Sequence, residues 1–190
     1  MTDLASLSDE RIVALTLWGE IRGGSLAQQI NVANVIANRV RADIHGDGKP
    51  DWWGEGWRGV CLAKYQFSCW NEGGEQSQRA KMLAVPETDR AYLTCLGVAR
   101  NVMRGALADT TGGSTHYFAN GTPVPSWANA FPKTTNDGLH TFYRDPSAKF
   151  PEDRLQAARV PDVAPSAPTP APNPWLALWN FIVSLFRRKS

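Results

Sequence analysis

The sequence is poor in the residues that announce the commoner kinds of site. Its 190 residues hold three cysteines, Cys61, Cys69 and Cys95, an odd number without a Cys-x-x-Cys pair. That disfavours both a disulfide framework and a cysteine-held zinc site. Three histidines, His45, His116 and His140, show neither HxH nor HxxxH spacing, whereas zinc sites usually carry tighter ligand spacing. A phosphate loop is missing too: Gly112-Gly113 has no P-loop lysine and reads as a turn before a strand. Lys and Arg number 20 against 18 Asp and Glu, a net charge of +2 with no basic stripe. A dedicated nucleic-acid binder would carry a clustered positive footprint, so no nucleic-acid partner is expected. Met1 to Arg11 lacks the cationic-then-apolar order of a secretory leader, and synthesis in a cytoplasm is expected.

What is present divides the chain into three. Residues 1–150 have the composition of one globular body, and ~150 residues bury roughly 70% of the unfolded chain's surface, enough for a core without metal or disulfide support. From Lys149 to Pro172 the periodicity stops and Pro161, Pro165, Pro168, Pro170 and Pro172 accumulate; residues 151–172 read as an extended, semi-rigid Pro/Ala linker. Residues 173–190 follow as Asn173-Pro174, a good helix start, then the apolar run Trp175 to Phe186, then Arg187-Arg188-Lys189. Twelve helical residues reach roughly 18 Å, short of the ~30 Å hydrocarbon core. An interfacial helix on an anionic membrane fits better than a spanning one; docking on the body or pairing in a dimer is the other reading.

The body is predominantly helical. Ser6 or Ser8 caps a helix carrying Ile12, Leu15 and Thr16 and running to Glu20, and Arg22-Gly23-Gly24 stops it. Ser25 opens a second helix, with Gln28 placed for a capping box and a stripe of Ile30, Ala33, Ala37 and Val40. Asp43 to Gly59 reads as a loop. Asp89 to Arg104 is a further helix with Leu93, Leu96, Ala99 and Met103 inward. Thr115 to Phe118 and Leu139 to Tyr143 read as two short strands around a turn-rich, proline-bearing loop. The class is α+β, mostly helical, with a short two-stranded element.

Glu20 is the best candidate for chemistry. In Leu17-Trp18-Gly19-Glu20-Ile21-Arg22-Gly23-Gly24 it sits at the end of an apolar helix beside a sharp break. A carboxyl in such a place can face a cleft while its neighbours exclude water, and desolvation favours the protonated acid that a general acid must supply near neutral pH. The bland reading pairs it with Arg22 or Arg39. A second constellation, Tyr65-Gln66-Phe67-Ser68-Cys69-Trp70, mixes aromatic faces with polar groups, as a sugar groove does; an ordinary core segment has the same composition. Of the 8 tryptophans, Trp52, Trp53, Trp57 and Trp70 fall close together. Asp43, Asp47, Gly48 and Asp51 imitate part of a calcium loop, but His45 and Gly54 stand where carboxylates are needed. Cys61 or Cys69 paired with His116 or His140 as nucleophile and base has no local support.

The order of motifs resembles the SleB-type cell wall hydrolase family, the spore cortex-lytic group also found in phage endolysins. It runs from about Asp9 to Tyr143. The family's Glu-Ala-Arg-Gly-Glu is similar to Glu20-Ile21-Arg22-Gly23-Gly24, its Asn-Arg-Val to Asn38-Arg39-Val40, and its Val then Gln-Phe-Ser to Val60-Cys61 and Gln66-Phe67-Ser68. Asp109-Thr110-Thr111-Gly112-Gly113, His116-Tyr117-Phe118 and Gly138-Leu139-His140-Thr141-Phe142 complete the set. The resemblance implies a lysozyme-like fold and cleavage of the β-1,4 bond between N-acetylmuramic acid and N-acetylglucosamine. It places the catalytic acid at Glu20. Gln66, Phe67, Ser68, Trp70, Tyr117 and His140 are expected to line the substrate site, and no cofactor or metal is expected. Bacterial peptidoglycan is the expected partner, together with an anionic membrane surface at residues 173–190. A conventional hydrolase needs a second carboxylate; Asp109, Asp137, Glu55 and Glu72 are all conceivable. Gly24 replaces the family's second glutamate. Two other readings stay open: a metal-dependent N-acetylmuramoyl-L-alanine amidase using His116 and His140 with a carboxylate, and a non-catalytic, membrane-tethered glycan-binding protein.

Overall fold

The computed structural model describes residues 3–45, 47, 49, 54–71 and 77–151. The 151–172 linker beyond its first residue, the 173–190 helix, Trp52, Trp53, Gly48, Asp51 and Glu72 lie outside them. The helices are α1 (Asp9–Ile21), α2 (Leu26–Arg41), α3 (Gly56–Leu62), α4 (Gln78–Leu83) and α5 (Arg90–Met103). A small antiparallel sheet of β1 (His116–Ala119), β2 (Lys133–Asn136) and β3 (His140–Tyr143) has the order β1-β3-β2.

Helix α1 is the axis of the core. Ser8 caps it through the Arg11 amide, and Ile12 to Leu17 are buried without interruption. A helix apolar on every side is a helix surrounded, and α2, α3, α4 and α5 all pack against it. Helix α2 starts on the expected capping box between Ser25 and Gln28. Its buried face is broader than the Ile30/Val40 stripe: Val32, Ala33, Val35 and Ile36 are inside, and so are Asn31, Asn34, Asn38 and Arg39. In α5 the register differs from expectation. Tyr92, Cys95, Val98, Ala99 and Val102 are buried, while Leu93 is 51% exposed. The helix packs on both α1 and α2, so its inner face is wide and centred one residue away from the leucine stripe.

The sheet has three strands, not two. Lys133-Thr134-Thr135-Asn136 is largely exposed and carries no apolar alternation, so nothing in it signalled a strand. Helices α3 and α4 were likewise unforeseen. Each is short, and α3 begins inside the stretch read as loop. Isolated helices of this length are marginal in water, and here packing on α1 sustains them.

Side-chain amides of α2 hold the sheet and its approach against the helices. Asn31 donates to the Asp137 carboxylate (3.1 Å) and Gln28 to the Asp137 carbonyl (3.2 Å). Asn34 donates to the Ala108 carbonyl (3.2 Å), and Asn38 to the Ser114 carbonyl (2.9 Å) and Asp109 (3.1 Å). Asn31, Asn34 and Asn38 recur at three and four residues, so they form a polar seam on one helix face. Buried amides without partners would be costly; these all have them.

Beyond the sheet's outer face, His116 packs on Trp127 and Phe131, each with ring centroids 4.9 Å apart. Burial, aided by the Arg39 charge and opposed by Asp145, lowers its pKa from 6.5 to about 4. The unfolded chain therefore binds this proton at a higher pH than the folded one. Stability from this source is complete above pH ~6.5 and falls as pH drops toward ~4. His116→Phe is expected to flatten the decline in Tm across that window, as thermal unfolding at stepped pH would show. Thr115 Oγ1, which lies 3.1 Å from His116 Nδ1, keeps the Asp145 amide as a donor.

Candidate active site

Glu20 ends α1 half-buried, between the helices and the inner face of the sheet. Two donors hold its carboxylate. The Cys69 backbone N–H donates to Oε1 (3.2 Å), and the Tyr117 hydroxyl donates to Oε2 (3.2 Å). The two arginines that could pair with it make other contacts. Arg22 lies over the Trp18 ring at 4.3 Å and donates to the Trp18 carbonyl. Arg39 donates through Nε to the Thr115 carbonyl (2.7 Å) and lies over the Phe67 ring at 5.0 Å.

Three features place those donors. The first is Gly19: a Cβ there would stand 2.6 Å from Cys69 Cβ and 2.7 Å from Met82 Sδ. Only glycine lets the Ser68–Trp70 turn approach α1 closely enough for its amide to reach Glu20. The second is Trp70, buried and donating to Thr16 Oγ1 at 2.9 Å, which pins the turn to α1. The third is Arg39, buried at 5% exposure, whose guanidinium touches both the residue that opens this turn and the carbonyl just before β1. Burial lowers its pKa from 12.5 to about 10 while Tyr117, Cys61 and Glu20 counteract, so it stays a cation.

Tyr117 projects from the inner face with Phe142 and His140 as neighbours, at ring separations of 5.8 and 5.1 Å. Burial and the adjacent Glu20 charge push its phenol well above the usual range, so it is a hydroxyl donor at any working pH. Burial lowers the His140 pKa against the opposing Asp137 and Glu20 charges. Its Nδ1 is buried and lies 4.0 Å from Asp137. Removing the donor to a charged group costs about 1.5–3 kcal/mol. Tyr117→Phe is therefore expected to lower any turnover that depends on Glu20 about ten- to a hundredfold, read as a fall in kcat with little change in KM.

The other site residues are placed as follows. Phe67 and Trp70 are buried, at 2% and 8% exposure, so their contribution is the shape of the turn and the floor beside it. Gln66 is half-buried and Ser68 exposed. Asp109 accepts from the Thr111 amide and hydroxyl, the Gly113 amide and Asn38. Burial opposes its ionisation, and those hydrogen bonds outweigh it to keep the pKa low. Asp137 accepts from the Leu139 and His140 amides and from Asn31. Glu55 is exposed at the start of α3. His116 pairs with Tyr143 and His140 with Ala119. This register puts the two histidines on opposite sheet faces, where they cannot share one metal ion. Burial pushes Cys61 and Cys95 up to about 12, and burial together with Glu20 raises Cys69; none of the three is a thiolate nucleophile.

The model of a family described as Cell Wall Hydrolase matches residues 23–143, close to two thirds of the chain. The chain belongs to the cell wall hydrolase family. Among curated proteins this chain is similar to a spore cortex-lytic enzyme of Halalkalibacterium halodurans, 26% identical over 137 residues. The alignment covers 71% of this chain and 34% of that one, so the chain spans about a third of that relative's length. Among solved structures it is similar to the catalytic domain of the germination-specific lytic transglycosylase SleB from Bacillus anthracis. The TM-score is 0.52 at 22% identity, covering 76% of this chain and 100% of that domain. The expected lysozyme-like fold is thus present. Glu20 lies three residues before the matched segment. Gly24 sits tight against Ile21, where a Cβ would meet Cδ1 at 2.7 Å, so a larger residue there requires Ile21 to move.

Proposed function

We propose that this chain cleaves the β-1,4 bond between N-acetylmuramic acid and N-acetylglucosamine as a lytic transglycosylase, with Glu20 as its single acid and base. The observation that carries the reading is the pair of donors on Glu20. They fix the carboxyl without neutralising it and leave each oxygen a further lone pair. The protonated acid gives its proton to the glycosidic oxygen as the C1–O bond breaks. The carboxylate left behind is what the Cys69 amide and Tyr117 hydroxyl hold best, since hydrogen bonds to an ionised acceptor are the stronger ones. It then takes the proton of the muramoyl C6 hydroxyl as that oxygen bonds to C1. The product is a 1,6-anhydro sugar, no water is consumed, and Glu20 regains its proton.

Hydrolysis would need a second carboxylate, ~5–5.5 Å away for retention or ~6.5–9.5 Å for inversion. Among the described candidates, Asp109 and Asp137 spend their oxygens on local amides, and Glu55 faces solvent. The Bacillus anthracis protein is named a lytic transglycosylase, which supports the transglycosylase reading. Digestion of purified peptidoglycan with and without chelator tests it: new sugar ends at equal rates are expected. New free amino termini, or loss of activity with chelator, would favour the amidase.

We further propose an endolysin-type setting, in which the cationic Trp-rich segment at 173–190 engages an anionic membrane; the composition of that segment supports it. Each Lys or Arg near such a surface contributes ~1 kcal/mol. Removing residues 173–190 is expected to leave digestion of purified wall unchanged and to reduce lysis of intact cells. Equal lysis by both forms would contradict the membrane role.

A further inference from the structure

Beside the Ser68–Trp70 turn lies a cavity of about 650 Å³, lined by Lys64, Tyr65, Phe67, Trp70, Asn71 and Arg79 among others. Phe67 and Trp70 are buried and form its floor. Tyr65 is different. Among the described residues it is the most exposed large apolar side chain, at 75%. Its backbone has φ 66°, and no other described residue outside glycine has a positive value. A bulky residue in that conformation is uncommon and strained. The fold thus tolerates a strained backbone at a position whose aromatic ring stays in solvent. The Lys64 ammonium stands 4.9 Å from the ring centroid, which restricts the ring further.

This segment is continuous with the site already described. Tyr65 precedes by four residues the Cys69 whose amide holds Glu20, a separation of at most ~14 Å of extended chain. That proximity puts Tyr65 within the reach of a chain of linked sugars held at Glu20. The chemistry of the lining suits a pyranose ring, with an aromatic face for its apolar C–H face, and the Asn71 amide and Lys64 ammonium for hydroxyls and N-acetyl groups.

We propose that Tyr65 is the stacking platform of a second sugar subsite, one that takes a pyranose ring of the same glycan strand whose bond is cut at Glu20. The proposal rests on the glycan-cleaving reading above. It supplies affinity away from the reacting bond, so its removal should weaken binding and leave the chemical step alone.

The test is binding of full-length protein carrying Glu20→Gln, which turns nothing over, to peptide-free glycan strands prepared from peptidoglycan. Asparagine tolerates the left-handed conformation, so Tyr65→Asn keeps the backbone and removes the ring. It is expected to raise Kd about tenfold with a Tm no lower than before, and Tyr65→Trp is expected to restore tight binding. Equal Kd with and without the Tyr65→Asn substitution would overturn the subsite, whichever bond the active enzyme cuts. Failure of the cleavage reading shows separately, as an active wild-type protein that releases no new sugar ends.

Discussion

Glu20→Gln is expected to lower turnover on purified peptidoglycan by at least about a thousandfold while leaving the fold intact. General acid–base catalysis contributes ~10²–10⁴-fold per role, and one carboxyl plays both roles here in turn. The amide keeps the volume of the acid. Its carbonyl accepts from one of the two donors at 3.2 Å, and the Tyr117 hydroxyl can turn to accept from the new NH₂ group. Thermal unfolding should therefore move little. A Glu20→Gln variant that digests wall at wild-type speed would remove Glu20 from the chemistry.

Gly19→Ala is the second large effect, and its sign is the informative part. Inside a helix, replacing glycine by alanine ordinarily stabilises by about 0.5–1 kcal/mol. Here the added methyl would sit 2.6 Å from Cys69 Cβ and 2.7 Å from Met82 Sδ. The methionine end can yield; Cys69 Cβ is bonded directly to the backbone unit that donates to Glu20. We expect a destabilisation of about 1–3 kcal/mol, the cost of overpacking, and an activity loss of about ten- to a hundredfold in the protein that remains folded. Urea unfolding and turnover on the same preparation separate the two. Lost stability with full activity would mean that the amide does not depend on this close approach.

The elements legible in the sequence were those with long apolar periodicity and explicit caps. Ser8, the Ser25–Gln28 box and the Arg22-Gly23-Gly24 break framed the two central helices, and Glu20 stood out because it occupied that break. The short elements were hidden because tertiary packing sustains them: α3 and α4 are too brief to carry a period, and β2 is polar and exposed. Around the site, the hidden partners act through groups that sequence patterns do not encode. The Cys69 contribution is a backbone amide, and Gly19 acts through the absence of a side chain. Arg39 looked like an ion-pair partner and instead ties the Phe67 turn to the start of β1. The asparagine seam at positions 31, 34 and 38 was visible as a helical spacing, but a search for apolar residues passes over it. Phe67 and Trp70 show the converse: the motif stood out, yet burial assigns them to the floor and leaves Tyr65 as the exposed ring.

The most direct test of the account is the mass of the saccharide ends that the wild-type protein releases from purified peptidoglycan. One acid working without a second carboxylate predicts fragments ending in 1,6-anhydro-N-acetylmuramic acid, absent from digests with the Glu20→Gln protein. Fragments ending in reducing N-acetylmuramic acid would mean that water is the acceptor, and would contradict the single-carboxylate mechanism.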